Sequence, residues 1–312
     1  AEAITLSGQV SIRWIENKMN QKMNTILKTE GKDYVIASDT DSIYLHMGDL
    51  VEAVYKGREK TTEGIVGFLN KVCEVELEPY IESSYQELAD YVNAYDQKMI
   101  MKRENIADRG IWTAKKRYIL NVWDSEGVRY EQAKLKIMGI EAIKTSTPAP
   151  CRTMLKDAFK LLMTGTEDEV IDYIEKCRSE FKNFPPEEVG FPRSVNNLQK
   201  YKGVSDIYNK GTPINVRGAL LFNHYIKKNN LEHKYSAIQN GEKIRFCYLK
   251  TPNWMHENVI SYIQDLPKEL DLHKHVDYDL QFEKAFLEPI KVILNCIGWE
   301  TERKNTLESF FS

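Results

Sequence analysis

"YVIASDTDSIYLHM", residues 34–47, decides how the first half of the chain folds. Tyr34 to Ser38 and Ser42 to Met47 are rich in β-branched, aromatic and other apolar residues, which suits strands, and the polar Asp39-Thr40-Asp41 between them suits a tight hairpin turn. Residues i and i+2 of an extended chain point to the same side, so the spacing predicts that the Asp39 and Asp41 carboxylates converge. Converging carboxylates repel unless a positive charge sits between them. Mg²⁺ is the natural candidate, because it prefers oxygen ligands and is usually held by one or two carboxylates together with substrate phosphates.

A bare Asp-x-Asp has other readings. Asp is a favoured turn residue, so a solvated turn is the default. An EF-hand loop wants an oxygen ligand at its fifth position and Gly at its sixth, where this chain has Ile43 and Tyr44. Nucleotide-sugar transferases also use Asp-x-Asp, but normally behind a nucleotide-binding α/β unit. Only 38 residues precede Asp39, enough for one helix and one strand.

The 312 residues suffice for one large or two ordinary domains. No apolar run is long enough to span a membrane. The start, AEAITLSGQVSIRW, lacks the order of a signal peptide and has no initiator Met, so a processed chain or a fragment is expected. Five scattered cysteines without a Cys-x-x-Cys pair point to a reducing, cytoplasmic setting. His273 and His275 read as surface residues. The net charge of −3 does not advertise nucleic-acid binding, but seven basic residues (Lys98, Lys102, Arg103, Arg109, Lys115, Lys116, Arg117) stand against Glu104 and Asp108 between positions 98 and 117. Such a local excess can contact phosphates, or simply form a solvated face.

Hydrophobic periodicity predicts a long helix over 2–28 and a second over 61–92, kinked or broken by Pro79. A short strand is expected at 98–103. A hairpin over 116–130 follows, turning at Asp124-Ser-Glu-Gly127. Thr145 to Pro148 reads as a boundary, after which the pattern is helical, with a strand at 243–249 and a last helix over 277–294 interrupted by Pro289. The expected class is α+β, strand-rich before the boundary and helix-rich after it.

In this order the segments resemble family B DNA polymerases, in particular the replicative polymerases of T-even-type bacteriophages. Residues 34–47 resemble motif C. "KKRYILNVWDSEG" (115–127) resembles the Lys-Lys-x-Tyr motif, "KLKIMGIEAIKTSTP" (134–148) the passage from palm to thumb, and "FEKAFLEPI" (282–290) the final thumb helix. The chain has no segment like motif A, which carries the other metal-binding aspartate, none like motif B of the fingers, and no exonuclease motifs. The resemblance therefore implies the rear of a polymerase. Residues 1–147 would be the C-terminal part of the palm, an antiparallel sheet with packed helices. Residues 148–300 would be a mainly helical thumb, and 301–312 a short tail.

By the resemblance, the activity is template-directed dNTP addition with two Mg²⁺ ions, once the part carrying exonuclease, motif A and fingers is supplied. Asp41 would bind both metals, Asp39 would lie at their rim, and Glu104 would be a third carboxylate. Lys115, Lys116, Arg117 and Tyr118 would contact primer-template DNA. Lys134, Lys136 and Lys144 would continue the phosphate track, with Arg152, Lys200 and Arg217 as weaker thumb candidates. Leu307, Phe310 and Phe311 resemble a sliding-clamp-binding peptide, with Lys304 where that pattern has Gln. A DNA-binding and clamp-docking module without catalysis of its own is the alternative. A phage protein of this kind would work in the bacterial cytoplasm.

Overall fold

The computed structural model describes residues 2–303, so the proposed clamp-binding residues Leu307, Phe310 and Phe311 lie outside the described residues. The fold is α+β with antiparallel sheets. The chain divides into two compact units. One takes the chain up to Gly110 together with Leu120–Lys136, and the other takes Ile111–Ile119 and the chain from Ile137 onward.

The first unit is built on the helix α1 (Glu2–Leu27). Its buried residues are Ile15, Met19 and Met23 at a spacing of four, one face of a helix. Ile4, Leu6 and Val10, expected on the same buried stripe, are instead exposed. The hairpin β1 (Val35–Asp39) and β2 (Ser42–Leu45) lies against α1. The short helix α2 (Gly48–Val54) follows. Next come α3 (Thr62–Val72) and α4 (Glu78–Tyr91), joined by one π-helical turn, Cys73–Leu77. The helix pattern over 61–92 is thus continuous through Pro79. Proline lacks the amide proton and crowds the carbonyl four residues back. The wide turn relieves the crowding, with the Glu78 amide donating to the Cys73 carbonyl, and Pro79 falls in the first turn of α4, where a missing amide proton costs least. One core gathers Ile15, Met19, Val35, Leu77, Ile81, Tyr85 and Leu88, and a smaller one Met23, Tyr34 and Leu50.

Residues 98–103 do not form the expected strand. They run without regular structure, and the ladder begins at β3 (Asn105–Ala114), continues in β4 (Arg117–Ser125) and ends in β5 (Val128–Met138), in that sheet order. The sequence hides β3 because Asp108, Arg109 and Gly110 interrupt its apolar pattern. The turn Glu126-Gly127 has positive φ at both residues, 51° and 88°, which matches the twist of a two-residue hairpin.

What fixes 98–104 is Arg103. Its amide donates to Glu78 Oε1 at 3.0 Å, and its guanidinium donates to Asn70 Oδ1 and Asp124 Oδ1. Asp124 is 1% exposed and also accepts from Arg129 Nε (3.1 Å) and the Gly127 amide (3.0 Å). Its carboxylate therefore holds the 124–127 turn and the arginine together.

In the second unit, α5 (Ala149–Thr164) packs on α6 (Glu167–Phe181). Cys151, Met154, Leu155, Ala158, Phe159 and Leu162 form the buried stripe of α5. Thr166 and Glu169 close a capping box that starts α6. After α7 (Pro186–Val189), the strands β6 (Phe191–Ser194), β7 (Lys243–Tyr248) and β8 (Val259–Tyr262) form an antiparallel sheet in that order. Two helices, α8 (Leu198–Tyr201) and α9 (Ile214–Lys228), lie between β6 and β7 in sequence. The second of these packs on β8 at Gly218, where a Cβ would come within 2.4 Å of Ser261 Oγ. The last helix is α10 (Tyr278–Phe282) and α11 (Glu288–Cys296), joined by a second π turn, Glu283–Leu287. Pro289 is accommodated as Pro79 is, here with the Glu288 amide donating to the Glu283 carbonyl.

The buried ion pair makes stability pH-dependent. Burial pushes the Asp124 carboxyl up, but its hydrogen bonds from Arg129, Arg103 and the Gly127 amide outweigh that and hold it below the usual range. A carboxylate whose folded pKa is depressed adds stability above its unfolded pKa, and that stability is lost as pH falls through the folded value. Wild type should therefore lose stability below about pH 4, and Asp124→Asn should flatten this acid limb. Asp124→Ala, which strands Arg103 in a site where its side chain is 10% exposed, should cost about 3–5 kcal/mol at neutral pH. Thermal denaturation across pH checks both.

Candidate functional site

Asp39 and Asp41 sit at the tip of the β1–β2 hairpin. Asp39 pairs with Ser42 in the register, which leaves Thr40 and Asp41 as a two-residue loop. The chain therefore does not run extended through the motif, as the spacing alone would suggest. Thr40 has a φ of 54°, and the Asp41 amide donates to the Asp39 carbonyl at 2.6 Å. A β-branched residue rarely enters the left-handed region, and such a conformation costs roughly 1–3 kcal/mol. Two contacts brace it: Thr40 Oγ1 donates to Asp39 Oδ1 at 3.1 Å, and Ser42 Oγ donates to the Asp39 carbonyl at 3.1 Å.

The strand behind the tip is anchored by one amide. Asn20 Oδ1 accepts from the Tyr34 and Val35 amides at 2.7 and 2.9 Å, and Asn20 Nδ2 donates to Asp33 at 3.1 Å. Tyr34 and Val35 are buried while Asp41 is exposed. The hairpin therefore runs from core to surface, with its carboxylates at the outer end. Tyr85 of α4 lies close by. Burial raises its phenol above the ordinary range, and the negative charge of Asp41 raises it further.

The donor set suits a hard cation. Both residues offer carboxylate oxygens at one turn, the ligands Mg²⁺ prefers. Among the described residues, no group of three or more His, Cys, Asp and Glu side chains is gathered closely enough to hold an ion. Glu104 is an ion partner of Lys136, whose hydrogen bond is the main reason its carboxyl is held below the usual range.

The basic motif occupies the β3–β4 hairpin. Lys115 and Lys116 form its two-residue turn, both exposed, with Lys116 at a φ of 60°. Gly139 makes room beside them. A Cβ there would lie 2.2 Å from the Lys116 carbonyl oxygen, and Gly139 itself has a φ of 67°. Arg117 points elsewhere: its guanidinium donates in two bonds, 3.2 and 2.9 Å, to the Glu141 carboxylate, which also accepts from Lys144 at 2.9 Å. Tyr118 is 5% exposed, with its ring 6.3 Å from that of Trp112. Lys134 lies over the Tyr130 ring at 4.1 Å.

The weaker candidates are dispersed in the second unit. Arg152 lines a cavity of about 570 Å³ together with Asp157, Glu187 and Arg245, and its Nε is buried without a hydrogen-bond partner. Lys200 lies over the Tyr201 ring and Arg217 over that of Tyr208. His273 and His275 belong to a single 3₁₀ turn. No described helix is long and apolar enough to cross a membrane.

Three residues that shape these positions do not stand out in the sequence. Asn20 looks like any polar residue of a helix, and Glu141 like any acid after a strand. Asp124 reads as turn chemistry, which it is, but its burial and its two arginines are tertiary facts.

A scan against protein-family profiles finds no match. The DNA-directed DNA polymerase of Escherichia phage RB69 is 34% identical over 324 residues, and that of Enterobacteria phage T4 is 30% identical over 325 residues. Each comparison covers 100% of this chain and 35% of the relative. The chain spans about a third of the length of the curated relatives it matches. The resemblance that motif C and the Lys-Lys-x-Tyr segment raise thus extends from one end of this sequence to the other: the chain is a relative of the phage DNA-directed DNA polymerases, similar to a third of their length.

Proposed function

We propose that this chain is the C-terminal palm and thumb portion of a family B DNA polymerase. In this reading it supplies the motif C carboxylates and the DNA grip to an active site completed by a part carrying motif A, the fingers and the exonuclease. The observation that carries the reading is the hairpin tip, where the two aspartates of a motif C-like segment stand at the surface of a helix-backed hairpin in a chain similar to phage polymerases throughout.

Asp41 and Asp39 would hold Mg²⁺, with Asp41 the principal ligand. When bound, two such ions supply Lewis-acid stabilisation of the attacking and leaving oxygens in nucleotidyl transfer. The role of the chain's own residues is placement. Asn20 and the α1 core hold the hairpin, and the strained Thr40 turn fixes the separation of the carboxylates. Glu104 acts in this scheme through Lys136, keeping that ammonium near the sheet, and contacts a metal only if Lys136 is drawn to DNA.

The first grip on primer-template falls to Lys115 and Lys116 at the exposed turn, where a phosphate backbone can approach. Arg117 and Lys144 share Glu141, so they stiffen the support of that turn before they reach DNA. Tyr118 anchors the strand from within. Lys134 and Lys136 extend the positive track along β5.

Three experiments test the proposal. A mixture of this chain with a polypeptide carrying motifs A and B should extend a primer, the chain alone should not, and Asp41→Ala should abolish extension while leaving duplex binding nearly unchanged. Extension by the isolated chain or by the Asp41→Ala mixture overturns the assignment, whereas duplex binding without extension in any mixture favours the non-catalytic module. In a salt titration of duplex binding, Lys115→Ala with Lys116→Ala should flatten a log–log slope of roughly −0.9 per neutralised phosphate. Deleting residues 304–312 should leave extension on short templates intact and abolish stimulation by the cognate sliding clamp, since tethering raises local concentration without new DNA contacts.

A further inference from the structure

In the second unit, the connection between β7 and β8 presents a large aromatic side chain to solvent from a rigid loop. Trp254 is 43% exposed. Its Nε1 donates to the Leu270 carbonyl at 2.8 Å, so the polar edge of the indole is satisfied and its orientation is fixed. The loop is pinned by Asn253, which is 5% exposed. Its Nδ2 donates to the Lys250 and Glu257 carbonyls at 2.9 and 2.7 Å, and its Oδ1 accepts from the Met255 amide at 3.0 Å. The backbone on both sides of Trp254 is therefore tied down while the ring stays in water.

Trp254 does not stand alone. Tyr225 meets it edge to face at 4.8 Å, His224 meets Tyr225 at 4.9 Å, and Lys228 Nζ lies 5.6 Å from the Tyr225 ring centre. Next to them is a second cation–aromatic pair, Arg217 over Tyr208 at 5.7 Å. Glu257 joins the two pairs: Tyr208 Oη donates to it at 2.7 Å, and its charge adds to the upward shift that burial gives the Tyr225 phenol. The Arg217 guanidinium also donates to Asn258, while its Nε is buried with no hydrogen-bond partner. Lys227 and Lys228 are exposed and make no ion pair among the described residues.

We propose that Trp254, Tyr225, Lys228 and the adjoining Tyr208–Arg217 pair form a binding site for single-stranded nucleic acid. An exposed indole beside two half-buried, cation-capped tyrosines fits a polyanion whose bases are free to stack, and a duplex hides the base faces. The indole takes a base, Lys227 and Lys228 take phosphates, and Glu257 orients Tyr208 rather than contacting the strand. This site uses other residues than the β1–β2 and β3–β4 hairpins on which the polymerase reading rests, and shares Arg217 alone with that reading's weaker thumb candidates.

The test uses the full chain and three labelled probes of about 12 nucleotides: oligothymidylate, oligouridylate and a blunt DNA duplex. Fluorescence anisotropy should show tighter binding of the single strands than of the duplex, and whichever single strand binds tighter shows whether the site prefers the DNA or the RNA probe. Trp254→Ala should weaken single-strand binding about tenfold or more, while Trp254→Phe keeps most of it. Oligothymidylate should quench intrinsic tryptophan fluorescence in wild type, and that quenching should be much reduced in Trp254→Phe although the strand still binds. Lys227→Ala with Lys228→Ala should reduce the salt slope by roughly 0.7 for each phosphate no longer neutralised. Trp254→Ala should leave duplex binding unchanged while it weakens single-strand binding, which separates failure here from failure of the polymerase reading. Equal affinity for duplex and single strands, or unchanged single-strand affinity in Trp254→Ala, overturns the proposal.

Discussion

A two-stranded hairpin is marginal in water by itself, and among the described residues β1 and β2 pair only with each other. Everything proposed for Asp39 and Asp41 depends on how that weakness is met. The answer lies in α1. Met19 and Ile15 pack against Val35 in the core, and the Asn20 amide captures the Tyr34 and Val35 amides where the strand begins. The inner end of the hairpin is thereby made part of a helix surface, and the outer end can carry two carboxylates and a strained Thr40. Strain of this kind persists only where the surroundings over-determine the backbone. Here the determination comes from the pairing of Asp39 with Ser42 and from the hydroxyls of Thr40 and Ser42.

Prolines within helices are handled twice in one way. Leu77-Glu78-Pro79 and Leu287-Glu288-Pro289 share a tripeptide, and each follows a π turn in which the glutamate amide reaches back five residues. A proline that would otherwise break the helix instead widens it. In the first unit this keeps the long helix intact while Glu78 receives the Arg103 amide. The segment 98–104 is therefore held without joining a sheet. Its fixing force is one buried guanidinium shared by Asn70 and Asp124, and not a ladder of backbone hydrogen bonds.

Charge is distributed unevenly along the basic stretch. Arg103 and Arg117 are both engaged by carboxylates within the protein, as are Lys136 and Lys144. Lys115 and Lys116 stand at a turn whose close approach to Gly139 leaves no space for a side chain there. A run of like charges in sequence thus resolves into structural cations and exposed ones. The distinction follows from position: Lys115 and Lys116 stand at a hairpin turn, whereas the others lie beside Glu104, Asp124 or Glu141.

The sequence by itself determined the α+β class, the long first helix, both hairpins with their turns and the helical second half, because each rests on local periodicity or turn chemistry. Its resemblance to phage polymerases was legible in short segments, and full-length comparison bears that out. It misplaced the strand at 98–103 and overlooked β3, β6 and β8, because mixed charges interrupt β3 and the other two are only four residues long, too short for an alternation to show. Only the tertiary structure decided that Ile4, Leu6 and Val10 of α1 are exposed while Ile15, Met19 and Met23 are buried. It also decided that Pro79 and Pro289 do not break their helices, that Tyr118 is buried, and that Arg103 closes on Asp124. These outcomes depend on residues far apart in the chain meeting at one point, and no local pattern encodes such a meeting.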